Sequence, residues 1–158
     1  MAEVAEKTHI QFCNEKAKPV YIIGTEVPIP GGAQEEEDVV HPTSSDAALE
    51  TIKVTKAAFE AKGLTDAWSR VCGVVVQPGV EFGDDQVFHY NRDSARGLSQ
   101  TIISQENLVY EAHSTDYQSE KGLTQLVEDH FCILKVGPWL TFGYREALFS
   151  LSMIEEET

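Results

Sequence analysis

Glu111 and His113 stand two residues apart in Tyr110-Glu111-Ala112-His113, Lys135 ends the apolar run Cys132-Ile133-Leu134, and Glu26 closes Ile23-Gly24-Thr25-Glu26. Alternate side chains of an extended strand share a face, so Glu111 and His113 should project together with Ala112 turned away. A carboxylate and an imidazole converging there, joined by Glu26 from a neighbouring strand, could hold a divalent metal, zinc or similar, through mixed oxygen and nitrogen ligands. The competing reading makes His113 a hydrogen-bonded histidine at a strand end, and Glu26 and Glu81 solvated loop carboxylates. Lys135 is more pointed, because a lysine inside a buried strand is costly unless paired. Its ammonium could contact a phosphate or carbonyl, act as a Schiff-base amine, or simply pair with a strand-end carboxylate such as Glu111. Gly137 and Gly31-Gly32 could present backbone N–H groups to a phosphate, although Gly-Gly after Pro30 is also an ordinary turn. His9, His41, His89 and His130 have no matching partners in sequence and read as surface or core filler.

These residues need elements to hold them. Four short segments are rich in β-branched residues and stop at turn-formers: Val20 to Gly24, Gly73 to Gln77, Leu108 to Glu111 and Cys132 to Val136. Continuous apolar runs of this length suit strands covered on both faces, as in a parallel sheet. Helical patterns separate them. Leu49, Ile52 and Phe59 share a face from about Asp46, with Trp68 and Val71 continuing a further turn after Gly63. Leu98 and Ile102 mark a second helix, and Leu123, Leu126, Val127 and His130 a third. Tyr144 to Glu157 carries the clearest stripe, Ala147, Leu148, Leu151 and Ile154. Strand then helix, four times over, is the repeat of an α/β fold, and ligands of such sheets bind beyond the carboxyl ends of the strands, where the polar residues fall.

Both ends read as cut, since three glutamates close the last helix where its dipole favours cations, and Ala2 to Cys13 reads as a helix with no strand before it. Four units are half of the eight that close a (βα)8 barrel, and two edges would stay bare, open to a homodimer. A complete small open α/β domain is the alternative.

The chain has 158 residues, 42% hydrophobic and 24% charged, which suits one soluble globular domain over 1–158 with an acidic, mobile loop at 31–45. No apolar run is long enough for a membrane span and no secretory signal opens the chain, so a cytoplasmic protein is expected. A formal charge of −14 argues against nucleic acid or anionic membrane as partner. Cys13, Cys72 and Cys132 are widely spaced among apolar neighbours, so reduced, buried, inert thiols are expected. No GxxxxGK[ST], GxGxxG or GxSxG stretch is present.

Taken together, Ile23-Gly24-Thr25-Glu26-Val27-Pro28, Val75-Val76-Gln77-Pro78-Gly79-Val80-Glu81-Phe82, Tyr110 through Gln118, and Ile133 through Pro138 with Arg145-Glu146-Ala147 resemble the GatZ/KbaZ family, the Z-type subunits of class II D-tagatose-1,6-bisphosphate aldolase. The resemblance runs from about His9 to Glu156. It implies a TIM-barrel lineage related to class II ketose-bisphosphate aldolases, of which this chain looks like strands five to eight, a half-barrel.

The family resemblance implies an accessory subunit that stabilises and activates a catalytic Y-type aldolase subunit in tagatose 6-phosphate, galactitol and N-acetylgalactosamine catabolism. The rival reading is a metal-dependent ketohexose-phosphate 4-epimerase acting between fructose 6-phosphate and tagatose 6-phosphate. In it Glu26 and His113 serve as metal or acid/base groups, Glu111 orients, and Lys135 with Gly137 meets the sugar phosphate. An inactive truncated remnant is the third reading. An older family label, tagatose-6-phosphate kinase, finds no nucleotide-phosphate loop here.

Overall fold

The structure is a computed structural model that describes residues 1–12, 18–24 and 40–157. Glu26, Gly31, Gly32, Cys13 and most of the acidic stretch expected as a loop at 31–45 lie outside the described residues. Four strands form one all-parallel sheet in the order β1 (Tyr21–Ile23), β2 (Val71–Val76), β5 (Val109–Ala112), β6 (Phe131–Leu134). A two-stranded antiparallel ribbon, β3 (Glu81–Phe82) with β4 (Val87–Phe88), is inserted after β2. The helices are α1 (Ala2–Phe12), α2 (Ser45–Ala61), the short α3 (Thr65–Trp68), α4 (Arg92–Ile102), α5 (Glu120–Glu128) and α6 (Pro138–Glu156). The expected α/β architecture, parallel strands alternating with helices, is therefore present.

Local chemistry explains the helix starts. Ser44 Oγ accepts the Ala47 N–H ahead of α2, Asn91 Oδ1 accepts the Asp93 and Ser94 N–H groups ahead of α4, and Ser119 Oγ accepts the Gly122 N–H ahead of α5. Each satisfies donors that the first turn leaves without intrahelical partners. Gly63 takes φ of +68°, which ends α2 sharply.

Helices α2, α4 and α5 cover one face of the sheet. Ile52, Leu98 and Leu126 pack there with Val74, Val76, Tyr110 and Phe131 in one core. Phe131 is fully buried and its ring meets Tyr110 at 5.3 Å and Tyr90 at 5.9 Å. Burying such a ring removes apolar area worth roughly 2 to 3 kcal/mol.

The opposite face holds Ile22, Gly73, Val75, Val109, Glu111 and Ile133, in register across the four strands. Covering of both faces was expected from the apolar runs, but no described helix packs on this one, and Ile22 stays 44% exposed. It is the face that a closed barrel would turn inward.

Several side-chain expectations change. Val71 opens β2 instead of extending a helix, because the Trp68 turn ends one residue after the short α3. Leu49 and Val127 are exposed, and His130 falls beyond α5 at φ of +72°, where the chain reverses into β6. The cysteines are also corrected: both described ones are free, but Cys72 is half-buried and Cys132 exposed. Each is the residue skipped where a parallel register shifts, Cys72 between the Tyr21–Val71 and Ile22–Gly73 pairs and Cys132 between Tyr110–Phe131 and Glu111–Ile133. An irregular backbone turns them off the core-facing alternation.

At the amino ends of the strands, α1 is tied down by charge. Arg70 Nη2 donates to Glu6 at 2.7 Å, the Tyr21 hydroxyl donates to the same carboxylate, and Arg70 stacks on the Tyr21 ring. The Arg70 hydrogen bond, followed by that of Tyr21, holds the Glu6 carboxyl below the usual carboxylate range.

Candidate functional site

The carboxyl ends of β2, β5 and β6 converge on a rim of buried polar groups. β5 ends at Ala112 and the chain bends at His113, yet the Glu111 and His113 side chains meet on one side, as the alternation anticipated. His113 Nε2 lies 2.8 Å from Glu111 Oε1, and Lys135 Nζ lies 3.3 Å from the same oxygen. Glu111 is 4% exposed and His113 8%. A carboxylate this deep needs partners, and the imidazole and the ammonium supply them.

Lys135 does not face a sealed interior. β6 ends at Leu134, and the Lys135 side chain is 62% exposed while its ammonium reaches back to Glu111. The ion pair with Glu111 anticipated for it is thus present, with the lysine still open to solvent. An ion pair with one such exposed partner contributes at most about 1 kcal/mol.

The ring of His113 is used on one side. Its Nδ1 is buried and has no hydrogen-bond partner, which is uncommon for a buried polar atom. With Nε2–H donating to Glu111, Nδ1 carries the free lone pair. A histidine whose second nitrogen is oriented by a carboxylate is how proteins prepare both metal ligands and general bases. His113 therefore fits one coordination position. Among the described residues no group of three His, Cys, Asp or Glu side chains surrounds a common point, and Glu26, the expected second ligand, lies outside them.

Gly137 is accounted for differently from the expected phosphate contact. Its N–H donates to both oxygens of Asp116, at 3.0 and 3.2 Å, and the Trp139 N–H donates to Asp116 Oδ1 at 3.0 Å. Asp116, 2% exposed, thus sits where an anion would sit at the amino end of α6. Thr115 is also buried, and both its N–H and its hydroxyl donate to the Lys135 carbonyl. Gln118 ties in the neighbouring segment: its Oε1 accepts the Tyr90 N–H and its Nε2 donates to the Phe88 carbonyl.

Thr115, Asp116 and Gln118 fall within the Tyr110 to Gln118 motif, and sequence reasoning assigns them no role. The signal was in the sequence: Ser114-Thr115-Asp116 follows a buried strand with no glycine or proline to release it into solvent. Ser114 and Tyr117 take positive φ, 55° and 60°, although neither is glycine. Such conformations cost of order 1 to 3 kcal/mol each and persist where surrounding contacts over-determine them.

Glu81 does not join the cluster; its Oε1 accepts the Phe82 N–H on the β3–β4 ribbon. Gln77, at the end of β2, shapes the rim with its side chain, which accepts from Gly79 and Val80 while Gly79 takes φ of +88°. A groove of about 620 Å³ lies between the ribbon and α6, bounded by Phe82, Asp84, Asp85, Tyr117, Pro138 and Phe142. Its two carboxylates disfavour an anionic ligand, so the groove is separate in character from the Glu111 cluster.

Two comparisons bear on this arrangement. Residues 1–158 match the family described as D-tagatose-1,6-bisphosphate aldolase subunit GatZ/KbaZ-like. The crystal structure of a probable tagatose 6 phosphate kinase from Sinorhizobium meliloti 1021 is similar at 47% identity with a TM-score of 0.75, over 97% of this chain and 36% of that one. This chain therefore spans about a third of the length of that solved relative. Four ordered motifs in the sequence, a parallel sheet that presents the described ones at one end, and a match along the entire sequence have one common explanation: the chain belongs to the GatZ/KbaZ-like family of D-tagatose-1,6-bisphosphate aldolase subunits.

Proposed function

We propose that this chain acts as an accessory subunit, stabilising and activating the catalytic Y-type subunit of a class II tagatose-1,6-bisphosphate aldolase in the cytoplasmic breakdown of tagatose 6-phosphate, galactitol and N-acetylgalactosamine. The observation that carries the reading, beside family membership, is α6. Its 19 residues include none that is buried, and Trp139, Leu140, Phe142, Leu148, Leu151 and Ile154 are all exposed. A helix this apolar stays in solution when another surface covers it. Among the described residues, no helix is long and apolar enough to cross a membrane. Membership of an aldolase-subunit family supports a protein partner as the cover.

The test mixes the purified chain with the catalytic subunit and follows the thermal midpoint and aldol cleavage rate of that subunit. Both should rise, and Leu148→Glu with Leu151→Glu should cancel the rise. No change at saturating concentration would sink the accessory role. Analytical ultracentrifugation of the chain alone separates this from a homodimer through the edges of β1 and β6, which would sediment at twice the monomer mass.

A second reading, sugar-phosphate 4-epimerisation, draws on the orphaned His113 Nδ1. In that reading Nδ1 accepts a proton from a substrate hydroxyl, Glu111 holds the ring and offsets the imidazolium that forms, and Lys135 faces the phosphate from the solvent side. Gly137 would reach a phosphate once Asp116 gives way. Were His113 Nδ1 instead to hold a divalent metal together with Glu26, that ion would supply polarisation of the sugar carbonyl in place of the base role of the imidazole. The reading predicts exchange between fructose 6-phosphate and tagatose 6-phosphate that His113→Ala abolishes. Exchange surviving in that variant would reject it, and absence of both activities would leave an inactive remnant. The kinase named for the solved relative needs a nucleotide-phosphate cradle, and the sequence has no GxxxxGK[ST] loop to provide it.

A further inference from the structure

We infer that Thr115 and Asp116 are positioning residues for Lys135, built into the turn after β5 to hold the amine against Glu111. The inference rests on reading Glu111, His113 and Lys135 as the functional cluster. The backbone of Lys135 is gripped from both sides. Its N–H donates to the Ala112 carbonyl at 3.0 Å, and its carbonyl accepts from Thr115 twice, from N at 3.2 Å and Oγ1 at 2.8 Å. Two residues on, Asp116 takes the Gly137 and Trp139 N–H groups. The segment from Lys135 to Trp139 is thus fixed at three points by one short turn.

The grip explains an otherwise unfavourable geometry. β6 is an edge strand that ends before Lys135, and a long, mostly exposed side chain there has high rotamer entropy, which opposes any single arrangement. Fixing its backbone one step beyond the Ala112–Leu134 pair, through the Ala112 carbonyl and Thr115, removes the backbone share of that freedom. The strained Ser114 and Tyr117 conformations flank Thr115 and Asp116 on both sides and turn them towards the β6–α6 segment. Strain in this turn is offset by the contacts it makes to residues 135–139.

The experiment is competitive trace acetylation of the full chain, with the ratio of Lys135 to Lys121 labelling read by mass spectrometry. Lys121 is exposed and makes no ion pair among the described residues, so it serves as the internal reference. An amine held against a carboxylate reacts more slowly than a free one. Glu111→Gln, which weakens the partner directly, should raise the ratio several-fold. Thr115→Val should raise it to a comparable level, Thr115→Ser should restore the wild-type value, and Asp116→Asn should raise it by less. A folded Thr115→Val, judged by circular dichroism, with the wild-type ratio would overturn the inference. Should Thr115→Val fail to fold, an unchanged ratio in Asp116→Asn would overturn it. An unchanged ratio in Glu111→Gln would instead reject the cluster itself.

Discussion

Glu111 Oε1, on β5, and His113 Nε2, just beyond the strand, lie 2.8 Å apart, and the other ring nitrogen of His113 is buried without a partner. The pair fixes the tautomer of the neutral ring, because a carboxylate oxygen can only accept and Nε2 must therefore donate. A long-range proton–nitrogen NMR spectrum of the neutral ring should show His113 protonated at Nε2 with a bare Nδ1. Glu111→Ala should return the ring to the mixture of tautomers typical of a free histidine. A neutral ring with a bare Nε2 in the wild type would contradict the arrangement.

Tyr110 predicts an alkaline limb of stability. Its hydroxyl donates to the Leu98 carbonyl at 3.1 Å, and burial pushes its pKa from 10.0 up to about 12. A phenol whose folded value is raised contributes fully below the unfolded value and loses that contribution as pH climbs from 10 to 12. The amount is on the order of 2 to 3 kcal/mol. Tyr110→Phe should cost about 1 kcal/mol near neutrality for the lost hydrogen bond and should flatten this limb. Urea melts of both proteins across that pH range check it, and parallel curves would count against it.

Gly24 lies against β2 more closely than any side chain allows. A Cβ built there would stand 2.5 Å from the Val75 Cβ. Gly24→Ala should therefore destabilise by about 1 to 3 kcal/mol through forced displacement of β1. Gly137→Ala meets open space by the same measure, and its thermal midpoint should stay much closer to wild type.

The α6 face should be neutral to the fold of the chain. Leu148 and Leu151 are exposed, so Leu148→Glu with Leu151→Glu should change unfolding free energy by no more than about 0.5 kcal/mol per site. Denaturant titration separates this from packing on the sheet, which would cost several times more.

The four strands of the parallel sheet were legible because their β-branched runs have few competing interpretations, and each lies within a residue or two of its expected place, whereas the two-residue strands of the β3–β4 ribbon are too short to leave such a run. Glu111 and His113 were legible for the same reason, since strand alternation alone puts them on one face. The environment of Lys135 was not, because where β6 stops depends on the grip of Thr115 from another loop. Nor was Asp116 legible as the cap of α6: it lies more than 20 residues before the helix it serves, whereas Ser44, Asn91 and Ser119 sit beside theirs. The exposure of Cys132 depended on a register shift, which hydrophobic pattern does not encode.

The strand order also sets an order of assembly. Phe131 pairs with Tyr110 across about 20 residues, Val109 with Gly73 across about 36, and Gly73 with Ile22 across about 50, so the entropic toll of loop closure rises towards the amino end. β5, α5 and β6 therefore form the segment that closes soonest. That segment holds Glu111, His113, Thr115, Asp116 and Lys135 complete. In pulsed hydrogen exchange during refolding, the amides of Ala112, Thr115 and Lys135 should gain protection before those of Ile22 and Ile23, so the rim matures while the first strand is still unpaired.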